Sequence, residues 1–257
     1  MKEKTMEGKI GKIHVVGIGP GEAGMMTGQA REALETCDII IGYTVYVELV
    51  RELFPGKEFA TTPMRREEER CRLCFEEASK GRTVAMICSG DPGVYGMSGL
   101  MFEIGKDYPQ VEVDVIPGVT AALSGAALLG APLIHDFCLI SLSDQLTSWE
   151  TIEKRLRAAC EADFVIVLYN PVSHKRPDHL RRAAAICLES RSGETVCGLT
   201  GQIGRDGESV RVMTLRELPD AGADMFTTVF IGNSQTKVIG GRMVTPRGYR
   251  AERRDGE

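Results

Sequence analysis

IHVVGIGPGEAG, residues 13–24, reads as a short apolar strand running into a glycine-rich turn and then a helix. That order opens a strand-helix-strand unit. Gly19, Gly21 and Gly24 also match the G-x-G-x-x-G of dinucleotide-binding turns. The dinucleotide fingerprint wants an acidic residue at the end of the second strand, to hold a ribose hydroxyl. Here that strand ends in Gly42 and Tyr43, with Asp38 at its start. No Gly-Lys-Ser/Thr follows the turn, which excludes a phosphate-loop nucleotide hydrolase.

Outward from this stretch, Ile10–Ile18, Asp38–Ile41, Thr83–Cys88 and Glu112–Ile116 read as strands separated by helical segments. Short apolar strands alternating with helices imply a parallel sheet covered on both faces. Gly and Pro in GAPLIHD (130–136) break the pattern, so the expected domains are 1–131 and 132–250, with a charged tail at 251–257. The second series has strands at 137–141, 164–169, 195–200, 209–214 and 228–231, and helices at 149–162 and 177–189. Three strands crowd the end with only a short helix at 215–218 between the last two, so a mixed sheet is expected. The fold class is α/β, with two α/β domains.

The chain has 257 residues, 43% of them hydrophobic, enough for one large core or two small ones. No apolar run is long enough to span a bilayer, and the first residues show no signal-peptide pattern, so a cytoplasmic protein is expected. The net charge of −5 argues against nucleic acid and acidic membranes as partners. Any anionic substrate must then be met by local cations. The eight cysteines are scattered over predicted strands and helices and are expected to be reduced. Cys71 and Cys74 form a C-x-x-C inside a helical pattern without a second pair or a nearby His, so the pair is expected to be structural and no metal site is expected.

The glycine-bearing turns are GIGPG (17–21), SGDPGVYG (89–96), PGVTAALSG (117–125), YNPVS (169–173), GLTGQIG (198–204) and IGNSQT (231–236). All are expected at carboxyl ends of strands, where open α/β sheets bind ligands. VGIGPG with Thr27, SGDPGVYG and PGVTAALSGAALLGAPL (117–133) resemble the N-domain signatures of the tetrapyrrole-methylase superfamily. GYTVYVELV (42–50), HDFCLISLSD (135–144), YNPVSHKR (169–176), TTVFIGNSQT (227–236) and VTPRGY (244–249) resemble its C-17 methylating, ring-contracting group of cobalamin biosynthesis. Met26 departs from the Leu usual before Thr27, and Gln145 and Ser148 interrupt a run that is commonly LLTPW-like.

The resemblance implies S-adenosylmethionine as methyl donor, S-adenosylhomocysteine as product, precorrin-3B or cobalt-precorrin-3 as substrate, an active site in the cleft between domains, and a homodimer. A methylase of the same superfamily acting at another tetrapyrrole carbon is the alternative. Residue by residue, the resemblance implies cofactor contacts at Pro20, Ser89, Gly90, Asp91, Val94, Thr120, Ala121, Tyr169, Asn170, Thr200, Gln202 and Thr227. Asp91 also suits a helix N-cap before Pro92. Methyl transfer asks for alignment rather than a protein nucleophile. Ring contraction moves a proton, and His135, Asp136 and Asp144 are the acid–base candidates. A polycarboxylate substrate wants Arg or Lys, which Arg65, Arg66, Lys175, Arg176 and Arg247 offer. Tyr46 is a candidate to pack on the macrocycle.

Overall fold

Residues 13–18 are all buried, as in a strand covered on both faces. In the computed structural model, which describes residues 10–249, they belong to β1 (Lys12–Gly17) and the turn after it. There follow α1 (Gly28–Thr36), β2 (Ile39–Tyr43), α2 (Thr44–Arg51), β3 (Glu58–Thr62), α3 (Glu67–Ser79), β4 (Val84–Cys88), α4 (Ser98–Gly105) and β5 (Glu112–Ile116). The strands are all parallel, in the order β3-β2-β4-β1-β5. Alternate residues sort to opposite faces: Ile13, Val15, Ile41 and Met86 pack under α3 and α4, while Val16, Ile40, Ala85 and Ile87 pack under α1 and α2. Cys71 and Cys74 lie in the α3 face of that core, where burial pushes the Cys71 thiol up to about 12 and raises Cys74 well above its ordinary value. Thiols held in the protonated form are packing groups.

The chain divides into two units between Ala121 and Ala122, earlier than the break expected at 131/132. The reason is α5 (Ala121–Leu129), whose Ala122, Ala126 and Leu129 are buried against Val167 and Phe230 of the second unit. Gly130–Ala131, read as a linker, instead forms the short strand β6. Next come β7 (Phe137–Ser141), α6 (Trp149–Glu161), β8 (Val165–Tyr169), α7 (His179–Leu188), β9 (Val196–Gly201), β10 (Ser209–Thr214) and β11 (Thr227–Ile231). Ser148, one of the departures from the family run, caps α6 by accepting from the Thr151 N–H. The 215–217 segment is a turn leading into a 3₁₀ helix at Leu218–Asp220.

The second sheet is mixed, in the order β10-β9-β11-β8-β7. β7 and β8 are parallel, and β11 runs antiparallel to both β8 and β9. α6 and α7 cover one face and α5 the other. A hairpin of β12 (Lys237–Ile239) and β13 (Arg242–Val244) adds to β6 as a third, small sheet. The tail expected at 251–257 lies outside the described residues. Among the described residues no helix is long and apolar enough to cross a membrane.

Gly125 in α5 shows how closely that helix approaches its sheet. A Cβ there would lie 2.5 Å from Thr200 Oγ1 and 3.0 Å from the Phe230 ring. Gly125→Ala is expected to lower the unfolding free energy by about 1–3 kcal/mol through overpacking, opposite to the usual gain from Gly→Ala in a helix. Gly99→Ala in α4, where an added Cβ meets nothing within 4 Å, is expected to be neutral or stabilising. Urea unfolding of the two variants checks the contrast.

Candidate active site

Parallel strands bring every carboxyl-end turn of the first unit to one edge of its sheet. The turns after β1, β4 and β5 meet there backbone to backbone. A Cβ on Gly17 would lie 2.6 Å from both Gly118 N and Gly90 O, and one on Gly118 would lie 2.1 Å from Gly90 O. Only glycine fits. Gly19 and Gly90, both at positive φ, exchange hydrogen bonds in both directions: Gly90 N–H to Gly19 O at 2.8 Å and Gly19 N–H to Gly90 O at 3.2 Å.

Asp91 ties this knot together. Its Oδ1 accepts from Gly93 N–H at 2.8 Å and its Oδ2 from Gly118 N–H at 3.0 Å. It does not cap a helix, because α4 begins at Ser98 with Met97 in the capping position. Pro92 O instead accepts from both the N–H and the hydroxyl of Ser98. Thr27 caps α1 through Ala30 N–H and donates its hydroxyl to Pro117 O at 3.1 Å, fixing the turn after β5. Around the knot, Ser89, Asp91, Val94, Thr120 and Ala121 are half-buried, while Pro20 and Gly90 are buried. This edge is therefore built of close-packed main chain around one half-buried carboxylate.

Arg65, Arg66 and Tyr46 belong to the same edge, beyond the ends of β3 and β2. Both arginines are exposed; Arg65 N–H donates to Glu67 Oε1, and Arg66 pairs with Glu69 at 3.5 Å. Tyr46 packs edge-on against Tyr43.

In the second unit the corresponding edge carries the ends of β7, β8 and β9 and the start of β11. It brings together Asp144, Tyr169, Asn170, Gln202 and Thr227. The Tyr169 hydroxyl accepts from Ala122 N–H at 2.6 Å, satisfying one free donor in the first turn of α5. Asn170 Nδ2 donates to Ser141 Oγ at 2.9 Å. Thr227 Oγ1 donates to Asp224 Oδ1 at 2.8 Å. Arg65, Asn170 and Gln202 are held at φ of 67°, 53° and 51°, and Tyr95 of SGDPGVYG at 53°. Non-glycine residues kept in that region cluster at functional sites.

Several expectations are corrected. Thr200 is 0% exposed, with its hydroxyl facing Gly125 and its strand paired on both sides, so its side chain reaches no ligand. Because β11 is antiparallel, the turn after it, IGNSQT, lies at the opposite edge from Tyr169. His135 and Asp136 lie just before β7, so they too sit at that far edge, away from Asp144. There they line a pocket of about 350 Å³ with Ile134, Phe137, Phe164 and Arg247, which removes Arg247 from the Tyr169 edge as well. Asp144 alone of the acid–base candidates stands beside Asn170.

Lys175 is exposed, whereas Arg176 is turned inward: its side chain is 12% exposed, 3.6 Å from Asp144 Oδ1 and 2.5 Å from Ser143 Oγ. The sequence reading missed His179, whose Nε2 lies 3.6 Å from Asp144 Oδ2. It stands at the first turn of α7, outside every motif quoted above.

An amide at position 91 accepts through one oxygen only, so one of the two turn N–H groups would face an NH₂. Asp91→Asn is expected to cost about 1–3 kcal/mol of stability, read as a lowered melting temperature beside wild type.

The chain matches the family model of Tetrapyrrole (Corrin/Porphyrin) Methylases over residues 12–219. It is 48% identical over 238 residues to a probable cobalt-factor III C(17)-methyltransferase of Salmonella typhimurium, covering 92% of this chain and 99% of that one. A precorrin-3B C(17)-methyltransferase of a Sinorhizobium species is 42% identical over 234 residues, covering 89% and 91%. Among solved structures, the crystal structure of the methyltransferase CobJ superposes with a TM-score of 0.86 at 36% identity, covering 92% of this chain and 100% of that one. Signature turns, fold and sequence agree, and the chain belongs to the tetrapyrrole (corrin/porphyrin) methylases.

Proposed function

We propose that this methyltransferase moves the methyl group of S-adenosylmethionine to C-17 of precorrin-3B or cobalt-precorrin-3, with contraction of the macrocycle. The observation that carries the reading is the glycine-built edge of the first unit. Its half-buried turns offer N–H and C=O groups to a nucleoside and an amino-acid carboxylate, and Asp91 offers negative charge to an ammonium. Such a donor set fits a sulfonium nucleoside and needs no metal. The similarity to two C(17)-methyltransferases supports the choice of carbon.

When bound, S-adenosylmethionine supplies an electrophilic methyl and leaves as S-adenosylhomocysteine. The chain's residues then have two tasks: holding the donor still and keeping the accepting carbon in line with it at about 3–3.5 Å. Pro20, Ser89, Gly90, Asp91, Val94, Thr120 and Ala121 serve the first task in this reading, joined by Tyr169, Asn170, Gln202 and Thr227 of the second unit. Arg65, Arg66 and Lys175, exposed and able to turn, meet substrate carboxylates, and Tyr46 lies against the macrocycle. A homodimer and a cytoplasmic location belong to the same reading and rest on the resemblance; sedimentation at about twice 28.1 kDa is the expected result for the dimer.

Incubation with methyl-labelled S-adenosylmethionine and purified cobalt-precorrin-3 or precorrin-3B is expected to yield a ring-contracted product carrying one new methyl. A methylated, uncontracted product would move the assignment to another carbon. Asp91→Ala is expected to weaken S-adenosylhomocysteine binding at least about tenfold by calorimetry, as loss of a charge-assisted contact does.

A further inference from the structure

Carbon methylation by a sulfonium donor has a fixed proton balance. A neutral substrate that accepts CH₃⁺ must lose H⁺, because the donor leaves uncharged. One bond to hydrogen on the substrate breaks, its electron pair stays behind to make the new carbon–carbon bond, and a base takes the proton. We propose that Asp144 is that base, and that His179 and Arg176 are the positioning residues that hold its carboxylate. The inference rests on the methyltransferase reading above and adds to it an acceptor for the released proton.

Asp144 follows β7 at the edge that carries Asn170, and its side chain is 39% exposed. The two groups behind it are not: the side chains of Arg176 and His179 are 12% and 8% exposed. Each addresses a different carboxylate oxygen, Arg176 facing Oδ1 and His179 Nε2 facing Oδ2, both at 3.6 Å. Two buried basic side chains thus back the carboxylate at ion-pair distance, one against each oxygen, while the carboxylate itself stays part-exposed.

The holders are themselves held. His179 Nδ1 lies 2.8 Å from Leu142 O, and since a carbonyl only accepts, Nδ1 carries a proton; Nε2, turned to a carboxylate oxygen that also only accepts, holds Asp144 when it carries a proton as well. The imidazole also packs on Trp149 at 4.7 Å between ring centroids, and Arg182 covers that indole at 3.9 Å. Arg176 donates to Ser143 Oγ and Ser173 Oγ. Ser143 N–H in turn donates to Ser141 Oγ, which accepts from Asn170. A continuous polar chain thus runs from Asn170, at positive φ, to Asp144. Arg176, expected as a clamp for substrate carboxylates, is already engaged by one of the protein's own.

The test uses the full chain with S-adenosylmethionine and the tetrapyrrole that wild type turns over. Asp144→Asn is expected to lower kcat by about 10²-fold or more, the usual worth of a positioned base. His179→Asn keeps a donor near Leu142 O and removes the group facing Asp144; it is expected to lower kcat roughly tenfold, with KM and S-adenosylhomocysteine affinity within about twofold of wild type. The double variant is expected to be no slower than Asp144→Asn alone, because His179 acts through Asp144. Should His179→Asn fail to fold, Arg176→Lys, which keeps the charge and loses the fork, enters the same cycle. Full activity in Asp144→Asn or in His179→Asn, or losses that multiply in the double variant, would overturn the proposal. Wild type inert on both tetrapyrroles would instead sink the methyltransferase reading and this proposal with it.

Discussion

The first unit depends on the approach of three glycine backbones, Gly17, Gly90 and Gly118, to within a distance that no side chain permits. Close contact between main chains is what brings three separate turns to one edge of the sheet. Asp91 then acts as an internal strut between two of the turns, and Thr27 anchors a third point. The parallel arrangement of the five strands is the precondition, since it delivers every carboxyl end to the same side.

The second unit solves a similar problem with side chains. Asn170, Ser141 and Ser143 are linked by hydrogen bonds, Arg176 joins Ser143 to Asp144, His179 backs the same carboxylate, and Tyr169 ties down the first turn of α5. In that setting an arginine has a carboxylate partner and a histidine a fixed proton, so neither is a solvated surface group.

Much of the architecture is legible in the sequence because burial on both faces writes itself as continuous apolar text, as in Ile39–Ile41 and Val165–Leu168. The strand β3, EFATT, is not legible: it lies at a sheet edge, with only Thr62 buried. The three-residue strands of the last hairpin are too short to show a period. The glycines of the site could be seen, but the contact that requires Gly17 and Gly118 could not, because it joins residues distant in the chain. The misplacement of IGNSQT has one cause, strand direction: lacking the sense of β11, a reader assigns its following turn to the ligand edge. His179 escaped notice because its partner lies on another segment and a helix-start histidine carries no motif.

The antiparallel strands of the second sheet have a consequence for how such a protein can diverge. β9 ends and β10 begins at the Tyr169 edge, so the hairpin turn joining them, residues 202–208, projects there without a helix to return the chain. Residues inserted in that turn would raise or reshape the rim while leaving strand register and both cores untouched. The turns after β1, β4 and β5 offer no equivalent freedom, since they are locked to one another. Grafting loops at 203–208, which spares Gln202, is therefore the least disruptive route to a new acceptor on this scaffold.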